Sequence, residues 1–273
     1  MSMLGKVNFW GVRGSLPCSG KDFLVYGGNT SCVSLSLGEQ LLIFDAGSGL
    51  RVLGQMPISW SSREIHMFFT HFHLDHLSGF PFFAPLFLED TVLHCWSGRM
   101  GGQSLQQTLD VFFSPPFFPV TTDLFVAKLQ MYEIDERCSW TQGACQISTI
   151  GLNHPGGAIG YRVVWQDRVF CYITDVEHTL GQMDQRLIDF IRESDVFVYD
   201  AMYTDAEYLE HQGWGHSTWQ QGMRLARAAG VKQYIAFHHA PTHTDTDLDG
   251  IQTQLDLVMP GALLAKEGMC LTL

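Results

Sequence analysis

The sequence predicts a mixed α/β fold, with strands in blocks, helices between and after them, and no regular β-α-β rhythm. Three observations lead there. Apolar runs bounded by Gly-rich turns read as strands at 7–9, 31–37, 40–45 and 65–69. A second strand-rich stretch covers 145–152, 159–165 and 169–174. Apolar residues at helical spacing mark 180–191, 219–229 and 248–258, and Gly230 stops the second of these before a strand at 233–237.

The strand at 65–69 leads into His71-Phe72-His73-Leu74-Asp75-His76. Four side chains able to bind a divalent cation occupy six positions. On a strand, His71, His73 and Asp75 would share one face and His76 the other. In a tight loop at a strand end, the four can divide into two groups aimed at adjacent metals. A His-rich polar loop is the plainer alternative, but so dense a set favours metal binding.

The bulk numbers narrow the partners. Sixteen basic against 28 acidic residues give 16 − 28 = −12, and Lys and Arg form no cluster. Such a chain gains little from counterion release, so a long polyanion is disfavoured as substrate. The opening Met-Ser-Met-Leu-Gly-Lys lacks the apolar stretch of a signal peptide, and no window nears 18 apolar residues. A cytoplasmic protein away from membranes is expected, its seven scattered cysteines reduced. One domain over 1–273 is expected, with an aromatic, Pro-rich excursion at about 80–125 that includes Pro81, Pro85, Pro115, Pro116 and Pro119. Core or interface packing is favoured for that excursion over a lid or a substrate wall.

Further ligand candidates stand at later strand ends. His154 follows one strand and precedes Pro155-Gly156-Gly157, Asp175 follows the next, and His238 and His239 end a third. Each alone is weak, but their recurrence at strand ends would bring them to one rim of a sheet.

These residues resemble the metallo-β-lactamase superfamily of binuclear hydrolases. Its His-x-His-x-Asp-His loop is matched at His71, His73, Asp75 and His76, and its later ligand order at His154, Asp175 and His238. The resemblance implies a four-layer αββα sandwich with the metals at one edge. It also implies that His71, His73 and His154 hold one metal, Asp75, His76 and His238 the other, and that Asp175 bridges them. Two divalent ions follow, zinc first, with manganese and iron compatible with the same donors. By similarity to ribonuclease Z, His238 is preferred to His239. His243 and Asp245 read as an exposed loop or as supports for a ligand.

Within the superfamily the ligands leave the substrate open. Gly215-His216-Ser217-Thr218 is similar to a ribonuclease Z segment whose His protonates the leaving oxygen, and Asp200 matches its supporting carboxylate. His216 can equally start the helix at 219. Phe9-Trp10-Gly11-Val12-Arg13-Gly14-Ser15 and Gly27-Gly28-Asn29-Thr30-Ser31-Cys32 resemble the opening of phosphoribosyl cyclic phosphate phosphodiesterase-like proteins. There Arg13, Ser15 and Asn29 could bind phosphate oxygens, or simply hold a turn. Asp45-Ala46-Gly47 matches the Asp-x-Gly turn of the superfamily, with Asp45 as a support.

The expected activity is cleavage of a small phosphodiester, a cyclic nucleotide or cyclic ribose phosphate, by metal-bound hydroxide oriented by Asp75, with His216 and Asp200 supplying the proton. tRNA is disfavoured because no basic arm is present, and a homodimer is expected. A thioester or lactone hydrolase, a tRNA 3′-processing-like endonuclease and a non-catalytic metal sensor are the alternatives.

Overall fold

The computed structural model describes residues 5–56, 64–119 and 121–273. Two seven-stranded mixed sheets pack face to face. In the first, β1 (Lys6–Gly11), β2 (Cys32–Leu37), β3 (Gln40–Phe44), β4 (Glu64–Phe68), β5 (Val92–Ser97) and β6 (Lys128–Glu133) lie in chain order, and β14 (Cys270–Thr272) pairs with β1 at the outer edge. In the second, β7 (Ser139–Gln142), β8 (Cys145–Leu152), β9 (Ala158–Trp165), β10 (Arg168–Ile173), β11 (Val196–Asp200) and β12 (Gln233–Phe237) run in sequence to the short β13 (Leu263–Leu264).

Three apolar layers account for the sandwich. Phe9, Leu35, Phe44 and Phe68 of the first sheet meet Ile147, Tyr161, Phe170, Val198 and Phe237 of the second. The outer face of the second sheet is covered by α4 (Gln185–Phe190), α5 (Trp219–Ala229) and α6 (Asp245–Val258), through Leu187, Leu225 and Leu255 among others. The outer face of the first is covered by α1 (Gly49–Gln55) and α3 (Leu105–Phe112), with Leu53, Phe80, Phe83 and Leu109. This is the four-layer arrangement that the resemblance implied. Removing this apolar area from water is the main favourable term.

Sequence and structure differ at several elements. The helix expected at 180–191 starts only at Gln185, because Gly181 has φ 70° and Asp184 caps the amide of Arg186 at 2.9 Å. Segment 80–125 contains β5, paired in parallel with β4 and β6, and it places Phe80, Phe83, Leu93 and Phe113 in the core. Phe82, Phe87 and Phe117 of the same segment are exposed. Among the described residues no helix is long and apolar enough to cross a membrane.

Candidate active site

Strands β10, β11 and β12 run parallel and in register, with Ile173 opposite Tyr199 and Tyr199 opposite Ala236. Asp175, Asp200 and His238 therefore leave the second sheet along one edge. In the first sheet β3 and β4 are parallel, with Phe44 opposite Phe68, so Asp45 and Thr70 emerge together. After Thr70 the chain turns through His73 into the one-turn helix α2 (Leu74–Leu77). That turn separates His71 and His73 from Asp75 and His76.

The two groups are bridged by one carboxylate. Asp175 Oδ1 lies 3.6 Å from His71 Nε2 and 3.8 Å from His154 Nε2. Its Oδ2 lies 3.2 Å from His76 Nε2 and 3.4 Å from His238 Nε2. His73 Nδ1 approaches His154 Nε2 at 3.1 Å, and Asp75 Oδ2 lies 3.2 Å from both His76 Nε2 and His238 Nε2. His71, His73, His154 and Asp175 thus form one set of potential metal donors, and Asp75, His76 and His238 another.

Bonds behind the donors fix which nitrogen faces inward. His76 Nδ1 lies 2.8 Å from Asp45 Oδ2, His154 Nδ1 donates to the Gly215 carbonyl at 2.8 Å, and His71 Nδ1 lies 3.1 Å from Thr70 Oγ1. Each leaves Nε2 for the centre. Asp45 also accepts the Thr70 amide at 2.8 Å and the Tyr172 hydroxyl at 3.0 Å. Such supports orient ligand rings and set their tautomers. His71 Nε2 is buried without a hydrogen-bond partner among the described residues. A cation satisfies such a lone pair, and imidazole with carboxylate is a donor set suited to zinc, manganese or iron.

The backbone is shaped around the donors. Ser15, Asp45, Asp175 and His238 all adopt left-handed φ between 58° and 64°. That region is costly for most side chains and cheapest for short polar ones, so its recurrence at one site is a mark of function. A Cβ on Gly14 would lie 2.4 Å from His238 Nδ1, and one on Gly215 2.3 Å from His154 Nδ1. Both positions need glycine for close approach.

Charge follows the same division. Burial opposes ionisation of Asp75, but His76 and His238 outweigh it and hold the carboxyl well below its usual range. Burial is likewise overcome at Asp175, chiefly by His238 and His76. Burial pushes His71 well below its ordinary value and keeps it neutral, as a ligand must be. At His216 burial works against protonation, yet Asp200 raises the imidazole to about 9. The pair is close, with His216 Nδ1 2.9 Å from Asp200 Oδ2. Asp200 Oδ1 accepts the amides of Met202 and Ser217, each at 3.1 Å.

The N-terminal residues are arranged differently from the phosphate-binding expectation. Arg13 is fully buried, and its guanidinium donates to the carbonyls of Gly27 at 2.8 Å, Ala240 at 3.2 Å and His243 at 2.6 Å. It braces three loops, and its charge is used inside the protein. Asn29 donates to Glu267 at 3.0 Å and accepts from Ser48 at 3.0 Å, so its side chain is a brace as well. Ser15 is exposed, and its backbone amide, not its hydroxyl, reaches Asp75 Oδ2 at 2.8 Å. His239 turns from the donors to the Ala265 carbonyl at 2.9 Å, and burial lowers it to about 3. His243 and Asp245 are buried rather than exposed, holding Glu207 at 2.8 Å and the Val25 amide at 2.8 Å respectively.

Three contributors escaped sequence reasoning. Thr70 and Tyr172 complete the support of Asp45, and Glu177 accepts the amides of Gly213 at 2.6 Å and Gly215 at 2.8 Å. Thr70 was detectable as the polar residue ending a buried strand. Tyr172 reads as core, and nothing around Glu177 marks it.

Known proteins resemble this chain in sequence and in fold. A ribonuclease Z of Gemmatimonas aurantiaca is 22% identical over 87% of this chain and 88% of its own. The crystal structure of human tRNase Z, short form, superposes with a TM-score of 0.69 at 18% identity, over 97% of this chain and 98% of that one. A diphosphatase from the PhnP family gives 0.72 at 16% identity, over 100% and 98%. At these identities the solved structures bear on the fold alone. The model of the β-lactamase superfamily domain matches residues 41–239, the larger part of the chain, from β3 to the end of β12. The protein therefore belongs to the β-lactamase superfamily, as one of its metal-dependent hydrolases.

Proposed function

We propose that the protein hydrolyses a small phosphodiester, with two divalent cations held by His71, His73, His154, Asp75, His76 and His238 and bridged by Asp175. The observation that carries this reading is the Asp200–His216 pair beside the donors, with His216 Nδ1 3.8 Å from Asp175 Oδ1. Thioester cleavage releases a thiolate and places little demand on a separate acid, whereas an alkoxide leaving from phosphorus needs a proton.

When bound, the cations would neutralise phosphoryl charge and lower the pKa of a water nucleophile. The protein's own groups do the rest. Asp200 takes His216 Nδ1, which leaves Nε2 to deliver its proton to the leaving oxygen. The Asp200 carboxylate holds the ring and stabilises its cationic form before transfer. Asp75, fixed by the Ser15 amide, orients the nucleophile. Asp45, through Nδ1 of His76, keeps that ring in its inward-facing tautomer.

A small substrate fits the surroundings. His71, Phe72, His73, Met100, Gln103 and Pro155 line a cavity of about 230 Å³ next to the donors. The relatives named ribonuclease Z favour RNA as the second reading, but the net charge of −12 weighs against a long polyanion.

The test is turnover of bis(p-nitrophenyl) phosphate and of cyclic nucleotides by protein loaded with zinc, manganese or iron, beside a thioester panel and a precursor tRNA. Diester cleavage is expected. No diester turnover with any of the three metals removes the proposal, and preferential cleavage of the tRNA transfers it to the second reading.

A further inference from the structure

Trp214 is 62% exposed although it stands only two residues before His216. Its loop is held firmly. Glu177 accepts the amides of Gly213 and Gly215, one through each carboxylate oxygen, and so grips the chain on both sides of the indole. The Gly215 carbonyl meanwhile anchors His154.

A column of rings supports the indole from the protein side. His211 meets Trp214 edge-on, with centroids 5.0 Å apart at 83°, and Tyr203 stacks on His211 at 4.4 Å and 21°. Tyr203 in turn touches His216 edge-on at 6.2 Å and 75°. His211 is fixed by its Nδ1 bond to the Glu207 carbonyl at 2.7 Å. A firmly mounted, open aromatic group thus stands two residues before the general acid and is linked to it through the rings of His211 and Tyr203.

We infer that Trp214 is a stacking platform for a planar ring of the substrate, which makes a base-bearing, nucleotide-class diester the preferred substrate over a base-free sugar phosphate. The inference rests on the phosphodiesterase reading and narrows it. Two arguments favour a base. Stacking on an indole face recognises any base without hydrogen-bond matching. The two N-terminal groups suited to phosphate, Arg13 and Asn29, are spent on internal bonds, so affinity must come from elsewhere than a basic clamp.

Trp214→Ala and Trp214→Phe in the metal-loaded full chain provide the test, with a 2′,3′-cyclic nucleoside monophosphate and a base-free ribose cyclic phosphate as substrates. The alanine variant should raise KM for the nucleotide roughly tenfold more than for the base-free diester, and phenylalanine should recover most of the difference. Equal changes for both substrates overturn the platform. Calorimetric titration with adenosine monophosphate reads binding without turnover, so it separates the two proposals. Binding weakened by the alanine variant, with no diester cleaved, supports the platform while the phosphodiesterase reading falls. Binding that is absent in the wild type, or unchanged in the variant, removes the platform even if diesters are cleaved. A variant that changes only the oligomeric state in light scattering also removes it, by showing the indole to be a subunit contact.

Discussion

Asp200 binds His216 through the same oxygen that accepts the backbone amide of Asp175, at 2.9 Å and 3.0 Å. The proposed acid and the carboxylate that lies between the two donor sets are therefore mounted on one side chain. Any shift of Asp200 moves both.

Loss of the acid should depend on the leaving group. His216→Ala is expected to slow cleavage of an unactivated alkyl diester by about 10²–10⁴-fold, and to slow bis(p-nitrophenyl) phosphate much less, because nitrophenolate leaves without a proton. Steady-state rates on the two substrates check this. Equal losses would remove the acid role.

Asp45 controls His76 without joining the donor set. Asp45→Asn keeps a residue type that tolerates its φ of 60° but weakens the hold on the imidazole. Metal affinity should fall about 10–100-fold, read by competition with a chelating dye. Tyr172→Phe, which removes one of several bonds to Asp45, should have the smaller effect. The reverse order would refute the assignment.

Metal should also hold the structure together. Removing the ions leaves Asp75 and Asp175 buried among imidazoles, so chelation is expected to abolish turnover and lower Tm, and zinc to restore both. Elemental analysis should find two ions per loaded chain. A Tm unmoved by chelation would argue against a site that couples the two sheets.

Acid should destabilise the fold through His66. Burial, with a further contribution from His94 stacked 4.5 Å away, lowers its pKa to about 4. The unfolded chain takes up this proton near 6.5, and the folded chain only near 4. Stability from this group is thus full above about 6.5 and is lost as pH falls towards 4. His66→Gln should flatten urea-unfolding stability between pH 7 and 4.5. An unchanged slope would exclude His66 as its source.

The legible parts of this site were contiguous, and the obscure parts were distant. His71, His73, Asp75 and His76 announce themselves because chemistry and spacing coincide within six residues. The division of Asp175 between two groups depends on strands β10 to β12 being in register, which no local pattern encodes. Arg13 shows the opposite failure. Its residue type suggests an anion, but its partners Ala240 and His243 lie more than 220 positions away and are carbonyls. Strand β6, Lys-Leu-Gln-Met-Tyr-Glu, was missed because an edge strand is half polar, and α1 because Gly49 and Gly54 dilute its helical signal.

The pairing of β1 with β14 sets Val7 opposite Leu271, nearly the whole length of the chain away. During synthesis the first strand therefore waits for Cys270–Thr272 before its outer edge is covered. His71 to His76 leave the ribosome long before His238, and they belong to a different sheet. A chain made only as far as β6 has the His71–His76 cluster but lacks His154, Asp175 and His238. Filling both cation positions therefore requires a chain that extends at least as far as His238.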